Sequence, residues 1–164
     1  MRLNPEMALE DFREAERLNP RSLPALQNQA YLLTEKLGRA NEAIAVLSRV
    51  LAQRPNYTPS LVDRGLQHAR QGHADQALVD VRKAVELDGR PIILYMAAAA
   101  LARLSSIEPS HGKEAITLLV TALRAGQYGP AEIEADRDFD GIREWPEFRA
   151  VIEAARVLKS AERR

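Results

Sequence analysis

The chain has 164 residues and a formal net charge of +0 at pH 7, because 23 lysines and arginines balance 23 aspartates and glutamates. A neutral chain has no general field for nucleic acid or for an anionic membrane, so neither partner is predicted. The absence of cysteine excludes disulfides and thiolate metal sites and fits a reducing compartment, which predicts a cytoplasmic location. The longest apolar run, 92–102, has 11 residues, well short of the ~20 that cross a bilayer.

The first predicted element is a helix within residues 5–20. Asn4 suits the N-cap and Pro5 the first turn, and apolar residues then recur at helical spacing up to about Leu18. No partner helix precedes it in the sequence, so we expect an apolar face that lacks a cover. This predicts that the chain belongs to a longer protein or self-associates at this end.

Residues 22–55 predict two helices joined by a short turn at Gly38. Apolar side chains recur every three or four residues in both segments, so each helix has one stripe for a partner, and the glycine lets the chain turn back. Leu26 and Ala43 are 17 residues apart, one more than the equivalent pair in the next unit. We expect the extra residue in the turn around Leu37.

Residues 58–89 repeat this pattern as a second two-helix unit. Gly65 in its first helix and Ala77 in its second helix are small, so they let the two backbones approach closely, and both are predicted core residues. Arg64 lies in the same apolar stripe, where a buried charge needs a partner. Asp80 of the second helix is its predicted partner.

Residues 91–126 form the third predicted unit, whose first helix is rich in alanine. Tyr95 and Ala115 are 20 residues apart, compared with 16 for the equivalent pair in the central unit. The additional residues place a protruding loop at 105–111, which includes His111. Loops displaced from a regular scaffold often carry function, but a tolerated insertion is the favoured interpretation of this one.

The period is lost in residues 127–164. A short helix over 130–135, a turn-rich stretch over 136–141 and a final helix after Trp145 are predicted. We expect this segment to fold back over the last unit as the terminal cap that a repeat array requires. Trp145 and Phe148 are its predicted packing anchors.

The units share one spacing, which resembles the tetratricopeptide-repeat pattern W-x2-L-G-x2-Y, A-x3-F, P. In the central unit its seven marked places hold Leu61, Arg64, Gly65, His68, Ala77, Val81 and Gly89. The flanking units hold Leu26, Gln29, Ala30, Leu33, Ala43, Leu47 and Pro55, then Tyr95, Ala98, Ala99, Ala102, Ala115, Leu119 and Gln127. The resemblance implies an all-α fold, a solenoid or α-α superhelix of about three full helical hairpins with a leading half-repeat and a C-terminal capping helix, in a single domain over 1–164.

A second resemblance lies in the C-terminal segment. It is similar to a closing motif found after tetratricopeptide repeats in bacterial multidomain proteins, including some Ser/Thr kinases, on Ile133, Asp136, Asp138, Phe139, Ile142, Arg143, Pro146 and Phe148. This implies a C-terminal repeat region whose catalytic partner, if there is one, lies outside the chain.

No pattern in the sequence indicates catalysis or a cofactor. His68, His73 and His111 fall in three different parts of the array, so no metal site is predicted. The serines lack a GxSxG context, and neither GxGxxG nor GxxxxGK[ST] occurs. The chain is therefore predicted not to be an enzyme.

Stacked hairpins of this family form a concave groove, lined by the first helix of each hairpin, that binds an extended peptide or a helix. Here the groove positions are Gln27, Asn28, Tyr31, Glu35, Val62, Asp63, Leu66, Arg70, Met96, Ala97, Ala100 and Arg103. Asn28 is the leading candidate, because a side-chain amide donates and accepts at once and suits a peptide backbone. Chaperone-binding members clamp a C-terminal carboxylate with Lys, Arg and Asn. Because Asp63, Ile93 and Ala97 stand at those positions, that use is not predicted.

The predicted function is a non-enzymatic scaffold that binds a protein or peptide partner in this groove. Two alternatives remain open. One is a regulatory or substrate-docking segment of a larger signalling enzyme such as a Ser/Thr kinase. The other is a self-association module that forms a homo-oligomer through the N-terminal face.

Overall fold

The structure, a computed structural model, describes residues 4–161. The first three and last three residues of the predicted domain lie outside that range. The described part is all-helical and contains no strand. Its helices are α1 (Pro5–Leu18), α2 (Leu23–Tyr31), α3 (Ala40–Gln53), α4 (Thr58–Arg70), α5 (Ala74–Leu87), α6 (Pro91–Arg103), α7 (Pro109–Leu123), α8 (Pro130–Ala135) and α9 (Pro146–Ala161), with a π-helical turn over Leu32–Lys36 and a 3-10 turn over Arg137–Phe139.

Consecutive helices pack in pairs, and the pairs stack on one another. The hairpins are α2 with α3, α4 with α5, and α6 with α7, and α4 packs against both α3 and α6. Gly38 and Gly72 end the first helices of two hairpins with φ of 63° and 76°, a left-handed conformation that glycine adopts without strain. The predicted all-α superhelix is therefore confirmed.

The contact between α4 and α5 depends on a small residue, as predicted. A Cβ added to Gly65 would lie 2.7 Å from Val81 Cγ2 and 3.2 Å from the Ala77 carbonyl oxygen. Beside it, the Arg64 guanidinium donates to Asp80 at 2.7 and 2.8 Å. This is the ion pair that the sequence predicts.

Buried apolar residues form two clusters along the array. The smaller one lies in α1, α2, α3 and the π-helical turn, whereas the larger one extends from Leu51 in α3 to Ile152 in α9. Tyr57 packs against both, and its hydroxyl accepts a hydrogen bond from the Gln27 side chain. The core is therefore a strip that follows the stack, with Tyr57 at its junction.

The extra residue of the unit over 22–55 lies inside a helix, which corrects the predicted turn around Leu37. The Leu37 N–H donates to the Leu32 carbonyl at 3.0 Å, and the Arg39 N–H donates to the Leu33 carbonyl at 2.8 Å. This wider turn absorbs one residue. Leu33, in this turn, lies in the core at 1% exposed.

The predicted protruding loop at 105–111 is corrected in part, because residues 109–111 belong to α7. Its residues form a tight turn followed by the first turn of α7, and Ser105 and His111 are only 4% and 6% exposed. The C-terminal segment holds the turn down, since a Cβ on Gly141 would lie 2.7 Å from Ser105 Oγ. Between the buried Ser105 and His111, residues 106–110 are all exposed, with Ile107 at 58%.

The C-terminal segment packs on the last hairpin as the predicted cap. The 3-10 turn contacts α6, and α9 contacts both α7 and α8. Phe139 and Phe148 are buried, and the half-buried Trp145 packs so tightly on α7 that a Cβ on Gly112 would lie 2.5 Å from its ring. Trp145 and Phe148 are packing residues, as the sequence predicts.

Helix α1 packs on α2 and buries Leu9 completely. Of its large apolar side chains, Met7 and Leu18 are strongly exposed, at 67% and 73%, and the exposed acids Asp11 and Glu14 lie between them along the helix. The uncovered face predicted for this helix therefore holds separate apolar residues instead of a continuous stripe. Among the described residues, no helix is long and apolar enough to cross a membrane.

Candidate protein-binding groove

The predicted groove residues differ widely in their access to solvent. Asn28, Tyr31, Glu35, Arg70 and Arg103 are exposed, Gln27, Asp63 and Met96 are partly buried, and Leu66 is buried. Val62, Ala97 and Ala100 are 0% exposed, so the prediction that they face a groove is wrong. They lie in the packing between adjacent helices, because α6 stacks directly on α4.

The accessible part of the groove lies on α2 and the π-helical turn that follows it. Asn28 carries an exposed amide, Tyr31 is 51% exposed, and Glu35 is exposed one turn later. The Lys36 ammonium lies 5.5 Å from the centre of the Tyr31 ring, within cation–π range. This strip combines an amide, an aromatic ring and a carboxylate on successive turns.

Asp63 lies on the α4 side of the groove without a strong ion-pair partner. Its carboxylate accepts one hydrogen bond, from the Gln67 amide at 3.3 Å. The pKa of Asp63 is raised to about 6, chiefly by burial and also by the charge of Glu35, whereas the Gln67 hydrogen bond and Arg70 oppose the rise. A desolvated carboxylate beside another carboxylate favours a cation as its neighbour.

Arg70 does not neutralise Asp63, because its guanidinium is engaged by the C-terminal segment. Nε lies 3.2 Å from both carboxylate oxygens of Asp138, and Nη2 lies 2.7 Å from Oδ2. Arg103 Nε lies 3.9 Å from the same carboxylate. The two arginines predicted for ligand binding thus hold a carboxylate of the protein itself.

The first aspartate of the closing motif has a structural role as well. Asp136 accepts a hydrogen bond from the Tyr95 hydroxyl at 2.8 Å and another from the Asp138 N–H at 2.9 Å. Burial and the Asp136 bond raise the pKa of Tyr95, whose ring stacks on Tyr128 at 4.3 Å. Sequence reasoning missed these partners, and the aspartate spacing of the motif was their only signal.

The histidines do not form a site. His68 is half-buried, its Nδ1 has no hydrogen-bond partner among the described residues, and burial lowers its pKa. His73 lies nearby, with ring centres 5.8 Å apart, whereas His111 is buried in α7. In residues 4–161 no group of three or more metal-ligating side chains occurs.

The fold defines a class of protein, the all-α helical-repeat superhelices built from stacked antiparallel hairpins. A comparison with protein-family models gives no match for the chain, and neither does a comparison with curated proteins.

Proposed function

We propose that this chain is a tetratricopeptide-type interaction domain of the cytoplasm that binds a segment of a protein partner and catalyses no reaction. One observation carries the proposal: the accessible strip of Asn28, Tyr31 and Glu35 lies beside the weakly paired carboxylate of Asp63. The repeat spacing and the stacked hairpins support it. The strip is short, so the bound segment is short too.

The chemistry of the strip favours a partner segment that carries a basic side chain. The Asn28 amide can bond both a backbone N–H and a backbone carbonyl, and the Tyr31 ring offers an apolar surface with a polar edge. A lysine or arginine between Glu35 and Asp63 would supply the cation that Arg70 does not. Binding would then lower the pKa of Asp63 and release a proton near pH 6.

The test begins with capture of partners on the immobilised chain, followed by calorimetry with the shortest segment that binds. We expect Asn28→Ala/Tyr31→Ala to weaken binding about tenfold or more. The matched control, Asn56→Ala/Gln76→Ala, changes exposed polar residues outside the strip. If the two double variants bind the segment with equal affinity, the groove assignment is wrong. Arg70→Ala is less informative, because it also releases Asp138.

A second candidate function is a regulatory segment of a signalling enzyme. The closing motif supports it, since Asp136, Asp138 and Phe139 all make the contacts that hold the cap on the array. A kinase-like sequence encoded upstream in the same reading frame, with activity that changes when Asn28 and Tyr31 are replaced, would establish this candidate. Unchanged activity would reject it.

Self-association is a third candidate, favoured by the exposed Met7 and Leu18 of α1. If these residues join two copies, light scattering shows a dimer whose fraction rises with concentration. The variant Met7→Ser/Leu18→Ser would then remain monomeric. A monomer at every concentration rejects this candidate and leaves the groove proposal intact.

A further inference from the structure

An apolar cavity of about 380 Å³ lies between the C-terminal halves of α7 and α9. Its wall contains Val120, Leu123, Tyr128, Val151, Ala155 and Leu158, none of which belongs to the groove on α2 and α4. The volume falls within the range of protein ligand sites, roughly 300 to 1,000 Å³.

The cavity is open because α8 is short. Helices α4 and α6, which begin their hairpins, have 13 residues each, whereas α8 has six and covers less of the helix that follows. The apolar stripe of α9 consequently extends past the part of α9 that α8 covers. Phe148 and Ile152 are buried at its start, but Leu158 is 68% exposed and the adjacent Val157 is 59% exposed.

The charged side chains that line the cavity have one sign. Arg124 follows the last turn of α7, Lys159 lies in the last turn of α9, and both line the cavity. Among the described residues that line it, no acidic side chain occurs. An occupant with an apolar face and acidic flanks is complementary to this surface.

We propose that the groove between α7 and α9 binds an amphipathic helix of a protein partner, with apolar side chains in the cavity and acidic side chains beside Arg124 and Lys159. Leu158 in the cavity wall and Val157 beside it are both exposed on α9, and such an open apolar surface suits a helix better than an enclosed small molecule. From Val151 to Leu158 the stripe extends about 10 Å. This length matches two turns of a helix that presents residues i, i+3, i+4 and i+7.

The probe is a fluorescent helical peptide of about 16 residues, since shorter helices are marginal in water. It carries leucines at i, i+3, i+4 and i+7 with glutamates on both flanks, and its twin carries lysines in their place. Anisotropy titrations of the full chain should show that the glutamate peptide binds more tightly than the lysine peptide. The preference should shrink at high ionic strength.

Charge reversal locates the site. In Arg124→Glu/Lys159→Glu we expect the affinity for the glutamate peptide to fall about tenfold, which corresponds to about 0.7 kcal/mol for each exposed charge. The affinity for the lysine peptide should rise. The control Arg21→Glu/Arg54→Glu has the same net charge change on exposed residues of the N-terminal half and should keep the original preference. Leu158→Gln should lower the affinity for both peptides.

Three results would overturn the proposal. The first is equal binding of the two peptides, and the second is an unchanged preference for the glutamate peptide in Arg124→Glu/Lys159→Glu. The third is binding of dodecanoate in the absence of binding by either peptide, because this outcome defines a small-molecule site. Asn28→Ala/Tyr31→Ala tests independence from the groove on α2, and it should leave the affinity of the glutamate peptide unchanged.

Discussion

Gly65 is a point where two helix backbones meet, and its hydrogen cannot be replaced without movement. In Gly65→Ala the new methyl group would overlap Val81 Cγ2, at 2.7 Å, so we expect a loss of about 1 to 3 kcal/mol in the free energy of unfolding. Gly89→Ala is the matched control, because nothing lies within 4 Å of its Cβ position. Urea denaturation measures both. Equal stability of the two variants would show that the α4–α5 contact has room for a methyl group.

Asp63 makes the stability of the protein depend on pH. Its pKa is about 6 in the folded chain against 3.8 for an ordinary aspartate, so between those values the folded state binds more protons than the unfolded state. Stability therefore falls as the pH rises from about 4 to about 6 and stays lowered above that range.

The variant Asp63→Asn should remove this dependence. We expect it to be more stable than the parent chain by about 1 to 2 kcal/mol at pH 7, with a difference that disappears near pH 4. Urea denaturation across this pH range measures the effect. A variant that loses stability at pH 7 would show that Asp63 has a cationic partner in the folded chain.

The C-terminal segment is attached to the array by a carboxylate as well as by apolar packing. Asp138 is 6% exposed and binds Arg70 and Arg103. In Asp138→Asn the two guanidinium groups lose their counter-charge, and we expect a loss of about 1 to 3 kcal/mol in the free energy of unfolding. The control is Asp140→Asn, since the Asp140–Arg143 pair is more exposed and exposed pairs contribute little.

Hydrogen exchange distinguishes a loosened cap from general destabilisation. In the Asp138 variant we expect faster exchange in α8 and α9 than in α2 and α3. If exchange accelerates equally everywhere, the segment is part of one cooperative unit. In the unit over 22–55, the π-helical turn has a wider backbone, and Leu33 lies in the core.

At the scale of the whole molecule, residues 4–161 bury their apolar side chains in two clusters along the stack instead of one central core, so stability varies along the stack. The smaller apolar cluster involves α1 to α3 and the larger one extends to α9. A repeat array behaves approximately as a sum of units and nearest-neighbour interfaces. Tyr57 packs against both clusters and so links the N-terminal half of the stack to the C-terminal half.

Cavities placed in the two clusters should therefore act locally. Leu47→Ala and Leu101→Ala each remove a side chain that is at most 2% exposed, and we expect each to cost about 2 to 5 kcal/mol. Hydrogen exchange measured by mass spectrometry should show that Leu47→Ala exposes mainly α1 to α3, and that Leu101→Ala exposes mainly α4 to α9. An identical exchange pattern in both variants would indicate a single cooperative unit.

Several features could be predicted from the sequence because they depend on local spacing. Apolar residues at helical intervals, prolines in first turns and glycines between stripes determine the helices and their pairing. The repeated small residues, Gly65 above all, specify how closely paired helices approach. The buried pair of Arg64 and Asp80 follows from the same reasoning, since a charge within an apolar stripe requires a partner.

Only the tertiary structure decided which helix faces are covered and which residues cover them. The groove positions share one helical face in the sequence, yet stacking buries Val62 and Ala97, and Asp138 engages Arg70 from 68 residues away. Ser105, at the start of the 105–111 stretch, is buried because a distant segment packs on it. Such contacts join residues far apart in the chain, so spacing along the sequence cannot specify them, whereas the periodicity of each helix is a local property that it can.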